Sequence, residues 1–336
     1  MNKLGIIGCG QWGSNHVRNF SHLLGSDNIV CADSDKKRLE SMKKTFLNIS
    51  VTTNYKDILK NPKINAVCVS TPTSTHYKIV KESLESGKDV LCEKPLCTKV
   101  NEAKELMAIA RKKKCILMVG YVFLFNSGIR KLEEYIKFNE CGRIYYIHTE
   151  RTNLGPIRND VNAVWDLASH DVSIFNYLLN SMPVMVTAKG ARYLQKNYED
   201  VAFISLVYPK DILVNIHISW LDPRKIRQIT VIGDKKMIVW DDLDNIGPIK
   251  IYDKKVVRTQ YYETFGDFFL LTKEGDITIP KVELHEPLRD EDIYFLECIK
   301  KRQEPVCGGQ SGLDVVKVLC AVDKSMQGQG SPVKII

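Results

Sequence analysis

The segment KLGIIGCGQWG sets Gly8, Gly10 and Gly13 directly after a short apolar run and at the head of a stretch, Gln11 to Leu24, with helical character. At a strand-to-helix junction this spacing has a physical logic. Gly8 makes the tight turn, Gly10 lets the main chain approach a diphosphate, and Gly13 lets helix and strand pack closely, while the helix N-terminus favours negative charge. Twenty residues beyond Gly13, Asp33 closes a second apolar run, NIVCAD. Its carboxylate can accept hydrogen bonds from both ribose hydroxyls and would repel a 2′-phosphate. The expectation is a dinucleotide site that favours NAD over NADP, with Gln11 and Trp12 among its contacts. Lys36, Lys37 and Arg38 follow; they could receive a phosphate or form a solvated first helical turn, and Arg38 is counted with the cofactor-binding residues.

Strands and helices alternate through the first half. INAVCVST (Ile64 to Thr71), DVLCEK and CILMVGY are apolar runs, and between them Leu39, Met42 and Phe46, then Ile79, Val80 and Leu84, then Asn101 to Ala110 carry helical patterns. Continuous apolar strands separated by amphipathic helices imply an α/β architecture, a doubly wound parallel sheet covered on both faces. Ligands of such a sheet sit beyond the carboxyl ends of its strands. Ser70, Thr71, Pro72 and His76 (STPTSTH), Glu93 and Lys94 (VLCEKP) and Tyr121 lie at those ends, and all but Tyr121 are counted with the cofactor-binding residues. After Phe125 the period changes: GRIYYIHTER, VMVTAKGAR, DVAFISLVY, ILVNIHISW, RQITVIG and KKMIVW read as a large, mostly antiparallel sheet. One helix interrupts it, VWDLASHDVSIFNYLL, with Asp166 and His170 four residues apart on one face. A chain of 336 residues suits two domains: a Rossmann domain over 1–122, and an α+β substrate-binding and oligomerisation domain over 123–336 whose C-terminal helices could pack back on the first.

Composition excludes several classes. The formal charge of +8 comes from scattered lysines with no helix-turn-helix, RNP or zinc-finger signature, so it reads as a solvated surface or as attraction for an anionic substrate such as a sugar nucleotide, and not as nucleic-acid binding. The longest nearly apolar run, CILMVGYVFLF, falls short of the ~20 residues that cross a bilayer. MNKLGIIGCG runs straight into the glycine motif and lacks a signal-type apolar region, so the cytoplasm is the expected location. The ten cysteines show neither C-x-x-C pairs nor zinc spacing and read as buried reduced thiols; Asp166 and His170 have no third ligand, and no metal is assigned.

GCGQWG, Asp33, STPTSTH and above all CEKP, in that order, resemble the glucose-fructose oxidoreductase, inositol dehydrogenase and rhizopine-catabolism (GFO/IDH/MocA) family over the first ~125 residues. The resemblance implies that Lys94 contacts both the nicotinamide side and the reacting hydroxyl and that the Lys94–Pro95 peptide is cis. It also implies that a D-x-x-x-H helix, here carrying Asp166 and His170, lies over the nicotinamide and faces that lysine. Ala168 stands where the commoner family form has a glycine. Oxidising a secondary alcohol calls for a base near neutral pKa and a cation beside the developing alkoxide. His170 is the expected base, oriented by Asp166, and Lys94 the cation, with the two able to exchange roles. NLGPIRNDVNAVWDLASHD, SWLDPRKIRQITVIG and HEPLRDEDIYFLECI further resemble members that oxidise C3 of UDP-N-acetylglucosamine or its uronate. On that reading Arg158, Asn162, Arg224, Lys225 and Arg227 are candidates for diphosphate or carboxylate contacts, with solvated loop charges as the plain alternative, and Tyr121 is counted with the substrate-binding residues. Other readings are a free-polyol dehydrogenase, an NADP-linked deoxysugar ketoreductase and a cofactor-sensing regulator. The resemblance also implies a dimer or tetramer formed through the open face of the antiparallel sheet.

Overall fold

The computed structural model describes residues 3–260, 268–273 and 275–335. The chain forms two compact units, Met1–Phe125 with Glu286–Cys320, and Asn126–His285 with Ala321–Ile336.

In the first unit six strands, β1 (Lys3–Ile7), β2 (Ile29–Ala32), β3 (Ser50–Thr52), β4 (Ile64–Val69), β5 (Asp89–Glu93) and β6 (Leu117–Gly120), lie in the order β3-β2-β1-β4-β5-β6. Every neighbouring pair is parallel. Helices α1 (Gln11–Leu24), α2 (Lys36–Thr45), α3 (Tyr55–Lys60), α4 (Thr73–Glu85) and α5 (Val100–Lys113) connect them. Leu4, Ile6, Val67, Val69, Val90, Leu91 and Val119 are buried, as strands covered on both faces require. The order reverses between β1 and β4, which places a ligand crevice at the carboxyl ends of those two strands. β3 and α3 are additions to the alternation read from the sequence. None of β3's three residues is buried, so this edge strand carries no apolar run to announce it.

The second unit begins with α6 (Ser127–Lys137) and continues through β7 (Ile144–Leu154), α7 (Ser169–Leu178), β8 (Met185–Ala191), β9 (Val201–Tyr208), β10 (Ile212–Ser219), β11 (Leu221–Gly233), β12 (Met237–Asp241) and β13 (Ile249–Tyr252). A two-stranded ribbon, β14 (Lys255–Gln260) with β15 (Phe268–Lys273), precedes the short β16 (Ile277–Thr278). With β17 (Val333–Lys334) the large sheet has nine strands in the order β16-β13-β12-β11-β7-β10-β9-β8-β17, antiparallel except where β10 runs parallel to β7. Its strands alternate as half-buried strands should: Ile147, Ala202, Ile204, Leu206, Val214, Ile216, Ile229 and Val231 are buried, while Tyr146, Phe203 and Leu213 on the opposite face are exposed. The buried Arg151 of β7 grips Asp171 of α7 through Nε and Nη2, at 3.0 Å and 2.9 Å, and so fixes the helix that bears His170 to the sheet.

Two helices follow β16, α8 (Pro287–Lys301) and α9 (Gly309–Gln327). All of α8 belongs to the first unit, where it packs on α1, and the segment after it adds to the edge of β6 through Val119 N–H to Cys307 O, 2.8 Å. All ten cysteines are free thiols, buried apart from the half-buried Cys115 and Cys320. Among the described residues no helix is long and apolar enough to cross a membrane.

Candidate active site

The β1–α1 junction follows the logic of its glycines. Gly8 has φ +95°, and a Cβ there would stand 2.6 Å from the Ser70 carbonyl oxygen, while a Cβ on Gly13 would overlap the Gly8 carbonyl oxygen. Gly10 differs. An added Cβ would meet only Arg38 Nη1, at 3.8 Å, so its bare side opens on space, as close approach by a diphosphate needs. Gly10 is also the N-cap of α1, with no side chain capping that end, and Gln11 and Trp12 are exposed in its first turn.

Asp33 is pinned beside this loop: Oδ2 accepts from Cys9 N–H at 2.7 Å and Oδ1 from Asp35 N–H at 2.8 Å. Arg38 lies 3.5 Å from Asp33 and 3.7 Å from Asp35. Its charge is therefore answered by two carboxylates, both of which would repel a 2′-phosphate. The open Gly10 face, the α1 terminus and the anchored Asp33 are a donor and acceptor set that fits NAD.

Across the crevice, Ser70 Oγ donates to Gly8 O at 2.8 Å, Thr71 Oγ1 accepts from Thr75 at 2.7 Å, and Pro72 opens α4. His76, expected among the cofactor contacts, is enclosed instead. Its ring nitrogens face Pro95 O and Thr71 O, each at 2.8 Å, so it ties the loop after β4 to the loop after β5. Lys94, half-buried, follows β5, and its peptide to Pro95 is cis. Glu93 Oε2 accepts from the Lys94 N–H at 3.2 Å. Tyr121 is corrected as a substrate contact. It is fully buried at the end of β6, and burial, with Cys307 and Cys97 nearby, pushes its phenol well above the ordinary value. The sequence marked the strand end but carried no sign that the segment around Cys307 roofs it.

In the second unit the segment expected as one helix starts with a π turn, Val164–Ala168, before α7. Such widened turns recur at functional sites. Asp166 sits in it, and its carboxylate accepts from Arg158 Nη1 at 3.2 Å and from Trp220 Nε1 at 3.3 Å. Trp220 was not anticipated; only the three-dimensional fold brings it to Asp166. His170 is buried in the first turn of α7. Asn162, expected as a substrate contact, is buried: Oδ1 accepts from Trp165 N–H at 3.1 Å and Nδ2 donates to Glu199 at 2.8 Å. Arg158 also holds Asp160 through Nε and Nη2, at 2.8 Å and 2.7 Å. Burial works against its charge, but Asp160 and Asp166 outweigh it and raise the guanidinium further. Arg158 thus serves Asp166 more directly than a substrate anion. Arg227 pairs with Asp242 at 3.0 Å, whereas Arg224 and Lys225 are exposed on a bulge of β11.

A family model described as "Oxidoreductase family, NAD-binding Rossmann fold" matches residues 2–121, and one for the GFO/IDH/MocA C-terminal domain matches residues 129–239. An uncharacterized oxidoreductase, YrbE, of Bacillus subtilis is 26% identical over 98% of this chain and 96% of its own. The myo-inositol 2-dehydrogenase of Thermotoga maritima is 23% identical over 97% and 96%. Among solved structures, a levoglucosan dehydrogenase in complex with NADH and L-sorbose superposes with a TM-score of 0.82 at 16% identity, covering 99% of this chain and 98% of that one. A UDP-N-acetylglucosamine 3-dehydrogenase from Acidithiobacillus ferrooxidans does so with a TM-score of 0.77 at 21% identity, covering 97% and 98%.

Proposed function

Because the chain belongs to the GFO/IDH/MocA family of NAD-binding oxidoreductases, we propose that it oxidises a secondary hydroxyl of a nucleotide sugar, at C3 of UDP-N-acetylglucosamine or its uronate. NAD, when bound, supplies the hydride acceptor. His170 takes the hydroxyl proton as the C–H electron pair departs with its hydrogen, leaving a ketone, and Lys94 stabilises the oxygen while negative charge develops on it. Asp166, held by Arg158 and Trp220, fixes the environment of that base. Arg224 and Lys225 supply positive charge for the diphosphate.

The likeness to the UDP-N-acetylglucosamine 3-dehydrogenase over nearly the whole chain carries the nucleotide-sugar reading. A second reading, oxidation of inositol or a free sugar, is favoured by the myo-inositol 2-dehydrogenase among the relatives. Purified protein mixed with NAD and separately with UDP-sugars, inositols and free hexoses separates the two. Reduced cofactor together with a two-hydrogen mass loss from UDP-N-acetylglucosamine or its uronate supports the first; turnover of inositol or a free hexose alone replaces it with the second. The exposed sheet face bearing Tyr146, Phe203 and Leu213 is proposed as the contact between copies. Phe203→Asp should then lower the mass seen by light scattering.

A further inference from the structure

Within the first unit, α1 turns His16 inward beside Val17 and Phe20, and α8 turns Glu291 and Asp292 inward beside Leu288 and Phe295. His16 Nδ1 stands 2.8 Å from Asp292 Oδ1, and Nε2 stands 3.1 Å from Glu93 Oε1. Asp292 Oδ2 accepts from Asn19 Nδ2 at 3.1 Å, and the second oxygen of Glu93 holds the Lys94 N–H. A continuous polar chain therefore runs from α8 through α1 to the main chain of Lys94.

With a carboxylate at each ring nitrogen, His16 satisfies both only by donating from both, which is the imidazolium form. Burial opposes that charge, but the Asp292 carboxylate, with Cys68 alongside, outweighs it and holds the imidazole well above its ordinary pKa. Ligand atoms of His16, Glu93 and Glu291 lie within 4.8 Å of one another, close enough to suggest a cation. An imidazole that donates from both nitrogens has no lone pair left for a metal, so the arrangement is better suited to holding Glu93.

We propose that His16 is a positioning residue for Lys94, fixing through the Glu93 carboxylate the main chain from which that lysine projects. Its consequence for turnover rests on the hydride-transfer reading; the geometry stands apart from it.

Two substitutions in the full-length protein separate the arms of the imidazole, since an Asn amide nitrogen stands near Nδ1 and a Gln amide nitrogen near Nε2. His16→Asn keeps the Asp292 link and drops the Glu93 link; His16→Gln does the reverse. In His16→Asn, kcat should fall about tenfold or more while KM and NAD affinity stay within about twofold, because a small displacement of a reacting group costs rate before it costs binding. His16→Gln should recover most of that loss. Equal losses in both variants, or a kcat that falls in step with NAD affinity, would overturn the proposal. A second readout needs no substrate: competitive acetylation followed by mass spectrometry. Lys94 reactivity should change about threefold in His16→Asn, with the other lysines unmoved. An unchanged Lys94 overturns the proposal. If the wild type oxidises no alcohol yet Lys94 shifts, the functional reading fails and the positioning role stands.

Discussion

Lys94→Ala removes an ammonium at the carboxyl end of β5 without touching the glycine loop. NAD affinity, read by protein fluorescence, should stay near wild type while turnover falls ~10²-fold or more, the range for positioned acid-base and charge-stabilising groups. Unchanged turnover would remove Lys94 from the chemistry. Glu291 gives a prediction of a different kind. Burial first, and then the neighbouring Glu93 carboxylate, hold its carboxyl well above 4.5, so the folded protein keeps a proton there that the unfolded chain releases. Stability from this group is therefore lost as pH rises above that value, at about 1.4 kcal/mol per pH unit until the folded value is passed. Glu291→Gln should abolish that loss. Thermal denaturation should find the variant level with wild type near pH 4 and increasingly more stable toward neutrality; a constant difference across pH would contradict the protonated state. Residues such as Gly8 and Gly13 were legible because their reasons are local, a turn and a close approach. His16 was not, because its partner Asp292 lies 276 residues away in sequence.

At the scale of elements, β1, β2, β4, β5 and β6 could be read from their apolar runs, and the alternation of β7 to β12 from their half-buried faces. β3 could not be, being short and without a buried residue. The π turn at Val164–Ala168 also escaped, since it runs straight on into α7 and one widened turn leaves no mark in an apolar periodicity. The join between α7 and the sheet is more testable. Arg151 and Asp171 are almost wholly withdrawn from water, so Arg151→Met strands a buried charge and should destabilise the protein by about 3–5 kcal/mol in urea unfolding. Converting Asp171 to Leu as well should restore part of that. If the single and double variants were equally unstable, the ion pair would not be what fastens α7.

For the whole molecule, the change of period after Phe125 marks where the chain leaves the parallel sheet, but it says little about where the chain returns. Helix α8 has an ordinary amphipathic pattern, and only the fold shows that its inward acids meet α1. The same limit explains Tyr121, whose strand-end position is visible in the sequence while its cover, the segment around Cys307, is almost two hundred residues further on. Chemistry at the substrate is likewise not written in the fold, because one family architecture serves relatives named for inositol and for nucleotide sugars. Isotope transfer addresses that point most directly. UDP-N-acetylglucosamine, and separately its uronate, each carrying deuterium at C3, would be incubated with the protein and NAD, and the reduced cofactor analysed by mass spectrometry. Deuterium in the reduced cofactor from either sugar is the predicted result; its absence from both, with transfer from labelled inositol instead, would contradict the nucleotide-sugar assignment.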